Sequence, residues 1–376
     1  MIQKKIWLSP PHLESEEEEF VKDALSSNWV APLGAYIDGF ESDLELFLKN
    51  DSHVSALSSG TAALHLALVL LGISKGDEVL CQTFTFCASV NPVKYVGATP
   101  VFIDSDPINW NLCPNQLEIA IKDRIKKFKK PKAIILVHIY GMPARMNEIV
   151  TISKKYDIPI IEDSAEALGS TFKSIPCGTF GKYGIFSFNG NKIITTSSGG
   201  ALISKTKLEK EKAIFYATQA KDRANHYHHS EIGFNYRMSN ILAAIGRAQI
   251  IKLKKRLKQR RGNHEFYKKL FKHSKNINIF SEENKLFVSN HWLNCVTIKK
   301  GMDFTKNEII DELAKANIEA RQLWKPMHMQ PLYCGNLFFG SNVAENIFNN
   351  GLCLPSGSNL TKADRHRINK TLKPFI

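Results

Sequence analysis

Residues 184 to 200 read "GIFSFNGNKIITTSSGG". Most lysines of this chain belong in water, yet Lys192 stands between two apolar stretches, among small, hydroxylated and amide residues. A lysine amine has a pKa near ~10.4 and is no nucleophile unless it is desolvated or held as an imine. Three further stretches carry complementary groups. In "SSGTAAL" a strand ends and a helix begins, so the first helical N–H groups lack acceptors and the dipole is positive there. Gly60 lets an anion approach the backbone, and Ser59 or Thr61 adds a hydroxyl. The same residues also suit an ordinary helix N-cap. In "IIEDSAEALG", Asp163 and Glu166 follow an apolar strand, and a buried carboxylate needs a cationic or proton-donating partner. In "TFTFCAS", Phe86 offers a ring at another strand end.

Together these groups match one chemistry. A cradle for a phosphate, a carboxylate to keep a pyridine nitrogen protonated, an aromatic face to cover a ring and a lysine to form a Schiff base are what a protein supplies to pyridoxal phosphate. Each is weak alone, and their order along one domain strengthens the reading.

The elements that position them alternate regularly. "HVSALSS", "DEVLCQTFTF", "TPVFIDSD", "KAIILVHIYG", "IPIIEDSA", "YGIFSFN" and "GALIS" read as strands, separated for the most part by helical stretches. That pattern predicts an α/β fold with a mostly parallel central sheet covered by helices on both faces. Ligands of such sheets collect at the carboxyl ends of strands, where every motif above falls. After about Ser239 a long helix leads away, and short strands mix with helices. The expected organisation is a large cofactor-binding domain, 1–245, and a smaller C-terminal α+β domain, 246–376.

Composition bounds the alternatives. The 376 residues, 43% hydrophobic and 23% charged, describe a globular protein of about two domains. The longest apolar run, Ala63 to Ile73, is too short to cross a bilayer. The first residues lack the apolar core of a secretory signal, so a cytoplasmic location is expected, with no membrane partner. Seven cysteines without a C-x-x-C predict reduced, mostly buried thiols and no metal site. The formal charge of +14 concentrates in "KDRIKKFKKPK" and "KLKKRLKQRRG", which read as solvated helix faces. No aromatic interleaving accompanies them, so no nucleic-acid partner is expected. "HYHH" (His226 to His229) has no metal-ligand spacing and reads as a loop or a substrate contact.

From "LSPPHL" to "LPSGSNL" the chain resembles the DegT/DnrJ/EryC1/StrS family of fold-type I, pyridoxal-phosphate-dependent nucleotide-sugar aminotransferases. The resemblance implies that Lys192 carries the cofactor and then shuttles a proton, and that Asp163 pairs with the ring nitrogen. It implies that Ser59, Gly60, Thr61, Ala62 and Ser187 hold the phosphate and that Phe86 stacks on the ring. "GFNYRMSN" resembles the segment whose asparagine, here Asn235, reaches the cofactor of a second subunit, which implies a homodimer. Glu166, three beyond the aspartate, also touches the cofactor by this resemblance, and its identity favours amination at C4 of a sugar over C3. His229, Arg237, Arg321, Trp324, Lys325 and His328 lie in stretches similar to those near the sugar nucleotide, although His328 taken alone is more often structural. The implied reaction moves an amino group from L-glutamate to a UDP-linked 4-keto-6-deoxy sugar for surface glycans. The alternatives are a dTDP- or GDP-linked or 3-keto sugar, a sugar dehydratase, and a non-catalytic basic regulatory protein. The dehydratases carry histidine in place of this lysine, and a regulatory relative would be expected to have lost Lys192 or Asp163.

Overall fold

A computed structural model describes residues 4–49, 51–299 and 301–376. Its central sheet has eight strands in the order His53–Leu57, Gly200–Ser204, Tyr183–Ser187, Ile160–Asp163, Ala133–Val137, Glu78–Gln82, Thr99–Ile103 and Phe338–Phe339. Gly200–Ser204 pairs antiparallel with both neighbours, and all the other pairings are parallel. Ala133–Val137 is buried throughout, as its unbroken apolar run requires of a strand covered on both faces, and Ile160–Asp163 is buried throughout although it ends in two carboxylates. Helix Gly60–Leu70 buries every residue from Ala62 to Leu68.

The sheet holds its carboxyl edge rigid beside the site. Glu162, fully buried, accepts hydrogen bonds from the N–H groups of Gly178 (2.9 Å), Phe180 (2.5 Å) and Gly181 (2.5 Å) and pairs with His138 Nε2 at 2.9 Å. A buried carboxylate so satisfied locks the incoming loop before Tyr183–Ser187 to the strand that ends in Asp163.

The expected boundary at 245/246 falls inside one helix, Asn240–Phe271. Beyond it an antiparallel sheet of Ile277–Ile279, Asn294–Ile298, Gly351–Leu354 and Arg321–Gln322 forms the smaller core, but Phe338–Phe339 returns to pair with Thr99–Ile103 of the large sheet. A short strand that late in the chain carries too little pattern to be read from sequence.

The basic runs are less solvated than expected. Arg124 is buried and bidentate on Glu78 at 2.7 Å, while Lys252, Lys255 and Arg256 meet Glu14 and Glu16 beside the acidic helix Ser15–Ser26. Arg256 and Arg260 are both buried. All seven cysteines are free, with only Cys334 exposed. No helix among the described residues is long and apolar enough to cross a membrane.

Candidate active site

Five strands end at one cavity of about 650 Å³, lined by Ser59, Gly60, Thr61, Phe86, Asp163, Glu166, Ser187, Lys192, Arg321, Trp324 and Lys325 of the expected residues. Its floor is the N-terminus of helix Gly60–Leu70. Ser59 caps that helix, its Oγ accepting from Ala62 N–H at 3.0 Å. The N–H groups of Gly60 and Thr61 then remain beyond reach of any helical carbonyl. A Cβ at Gly60 would lie 3.1 Å from Ser187 Cβ and 3.3 Å from the Phe186 carbonyl oxygen, so the Ser187 hydroxyl approaches because residue 60 is glycine. Ala62 is a correction to the expected phosphate set. Its N–H is spent on the cap and its methyl is buried. The cap is therefore present and leaves the Gly60 and Thr61 N–H groups for the expected cradle.

Asp163 ends its strand almost wholly buried. Oδ2 accepts from the Ser89 hydroxyl at 2.6 Å and Oδ1 from Ala165 N–H at 3.1 Å, which fixes the carboxylate toward the cavity. Three residues on, Glu166 Oε2 accepts from Tyr140 N–H at 2.6 Å, and Oε1 lies 3.7 Å from Lys192 Nζ. Burial pushes the Glu166 carboxyl up to about 7, against the opposing pull of Lys192. Burial likewise lowers the Lys192 amine, with Glu166 and Asp163 opposing. Desolvation dominates for both partners, so each is held nearer its neutral form than in water.

This yields a stability prediction for the cofactor-free protein. Glu166 has a raised folded-state pKa, so the stability it contributes is present below ~4.5 and is lost as pH rises through about 7. Glu166→Gln removes that dependence. Denaturant unfolding of the two proteins will show wild type losing on the order of 1–3 kcal/mol relative to the variant across that window. A constant difference would contradict it.

The turn that bears Lys192 is not followed by a strand. Lys192 N–H donates to Asn189 O at 3.0 Å, and Thr196 N–H returns to Phe188 O at 2.9 Å. Ile193 and Ile194 are buried, and this compact loop turns the lysine back over the sheet edge. Phe86 is half exposed and meets Trp324 edge-on at 4.6 Å, leaving a ring face open at the cavity.

Five other expected residues lie outside the cavity lining. His328 bonds Thr83 Oγ1 at 2.6 Å through Nδ1 and Glu345 at 3.1 Å through Nε2, and stacks on Phe338, so it is structural. Arg237 is spent on Glu41 and the Ala56 carbonyl. Asn235 and His229 are exposed, the latter bonded to the Gln219 carbonyl at 2.9 Å. Ala62 is the fifth. Sequence reasoning passed over Ser89 and Trp292, whose partners lie far along the chain. Elsewhere, His264, Glu282 and His291 bring ligand atoms within 4.8 Å of one another. The two imidazoles are stacked 3.6 Å apart and 8° from parallel, so their in-plane lone pairs do not converge on one ion.

Helix-end donors, a buried carboxylate, an open aromatic face and a desolvated lysine fit pyridoxal phosphate. The family model for DegT/DnrJ/EryC1/StrS aminotransferases matches residues 11–373. The chain belongs to that family. Within this aminotransferase family it is 47% identical over 375 residues to EpsN of Bacillus subtilis, named as a pyridoxal phosphate-dependent aminotransferase, covering 99% of this chain and 96% of the relative. It is 36% identical to the GDP-perosamine synthase of Escherichia coli O157:H7 over 99% of both chains. The PLP form of Spr1654 from Streptococcus pneumoniae, described as a sugar aminotransferase, superposes with a TM-score of 0.91 at 27% identity, covering 99% of this chain and 98% of that one. The DegT-family chain is thus a fold-type I, pyridoxal-phosphate-dependent sugar aminotransferase.

Proposed function

We propose that this aminotransferase moves an amino group from L-glutamate to C4 of a UDP-linked 4-keto-6-deoxy sugar, in the cytoplasm, for surface glycan synthesis. The observation that carries the reading is Glu166, buried 3.7 Å from Lys192 at the place where the family resemblance associates glutamate with C4 amination. Pyridoxal phosphate, when bound, supplies an aldehyde to carry the amino group and a ring to accept the charge left when a proton departs. Gly60, Thr61, Ser59 and Ser187 hold its phosphate at the helix terminus. Asp163, oriented by Ser89, holds the proton on the ring nitrogen. Lys192 takes the proton from the donor's carbon and later delivers one to the sugar carbon, and burial suits it by lowering its amine pKa. Arg321, which pairs with Glu319, and Lys325 line the cavity and are the cations available to the diphosphate. Asn235 and His229 are exposed and lie outside the lining of their own cavity, which suits a homodimer in which each reaches its partner's site.

The similarity to a GDP-perosamine synthase favours a second reading in which the carrier is GDP. Purified enzyme loaded with cofactor and given L-glutamate decides between them with a panel of UDP-, dTDP- and GDP-linked 4-keto-6-deoxy sugars and a 3-keto control. The expected result is an amino-sugar product from the UDP member at a kcat/KM at least ~10-fold above the others. Preference for GDP supports the second reading, and turnover only of the 3-keto sugar refutes both.

A further inference from the structure

The turn that carries Lys192 is held from the C-terminal part of the chain. Trp292 lies two residues before strand Asn294–Ile298 and is buried to 1% exposure. Its indole Nε1 donates to the carbonyl of Asn191 at 2.6 Å. The face of the same ring lies 4.1 Å from Lys192 Nζ. The indole is itself fixed. Trp292 N–H donates to Asn290 Oδ1 at 2.8 Å, and Arg260 Nη1 donates to the Trp292 carbonyl at 2.7 Å. The Ser9 hydroxyl adds a second bond to Asn191 O at 2.7 Å.

We infer that Trp292 is the positioning residue for Lys192, its Nε1 fixing the peptide before the lysine and its ring face seating the amine whenever that amine is free. The inference rests on the reading of Lys192 as the reacting amine. A proton-carrying lysine must find the same place each time it is released. Here the amine is bracketed, with the indole face on one side and Glu166 at 3.7 Å on another, and Asp163 is the other charge that faces it. An indole face attracts an ammonium and not a neutral amine. Losing the ring therefore lowers the amine pKa, and losing only Nε1–H loosens the turn while leaving the ring face in place.

Trace acetylation of the cofactor-free full chain across pH, with the Lys192 peptide followed by mass spectrometry, reads the amine directly. Trp292→Leu is expected to move the labelling midpoint down by ~0.5 to 1.5 pH units. Trp292→Phe is expected to move it less than half as far. A merely structural indole would raise the labelling plateau and leave the midpoint alone. In the loaded enzyme, single-turnover reaction with L-glutamate is expected to slow roughly 10-fold or more in the Leu protein and at least ~3-fold in the Phe protein. An unmoved midpoint in a folded Leu protein overturns the inference. If the Leu protein does not fold, an unchanged single-turnover rate in the Phe protein overturns it. Wild type that fails to load cofactor on Lys192 overturns instead the reading beneath it.

Discussion

Lys192→Ala will give a protein that folds and no longer turns over, with kcat reduced at least ~10⁴-fold, because in the proposed mechanism one side chain both carries the cofactor and moves the proton. The fold survives because the backbone of the turn keeps its own bonds. Asn189 O still receives the N–H of residue 192, and Trp292 and Ser9 still hold Asn191 O. The amine itself is a cost to the fold, since burial lowers its pKa and Glu166 only partly compensates. The melting temperature of the cofactor-free variant will therefore equal or exceed that of wild type. Circular dichroism melts and the absorption of the lysine-bound cofactor are the readouts. A variant that retains the absorption band would place the reacting amine elsewhere.

Asp163→Asn will separate electronic support from binding. The amide keeps an oxygen for Ala165 N–H and a partner for Ser89, so the local turn is preserved. It loses the charge proposed to keep a ring nitrogen protonated. Cofactor will still bind, because Gly60, Thr61 and Ser187, the proposed phosphate cradle, are untouched. The kcat will fall ~10²- to 10³-fold, the scale of removing one preorganised electrostatic contact. Stopped-flow absorption with glutamate checks both halves of this. Loss of cofactor binding equal to the loss of rate would show that the aspartate serves retention and not the electronics of the ring.

The parts legible in the sequence were those set by local rules. "SSG" and "EDS" each close a strand run, so Ser59 and Asp163 fall at one sheet edge by periodicity and turn chemistry alone, whereas Ser187 came from the family resemblance. Lys192 was legible because a charged residue stood where the pattern predicted burial. What could not be read depends on pairings remote in sequence. Arg237 matched a motif, but Glu41, 196 residues away, claims its guanidinium. His328 looked like a substrate contact until Thr83 and Glu345 took both ring nitrogens. Trp292 reads as one more core aromatic, and only the return of the small sheet brings it beneath the lysine. Ala62 differs from Gly60 and Thr61 for a local reason, because the Ser59 cap takes the Ala62 N–H and leaves theirs.

By the proposed mechanism, one lysine of a lysine-rich chain does the chemistry. Wild-type protein loaded with pyridoxal phosphate, reduced with borohydride and digested, tests it by peptide mass spectrometry. The reduced cofactor is expected on the peptide that contains Lys192 and on no other, with the mark absent when glutamate is added before the reductant. Cofactor fixed to a different lysine, or to none, would contradict it.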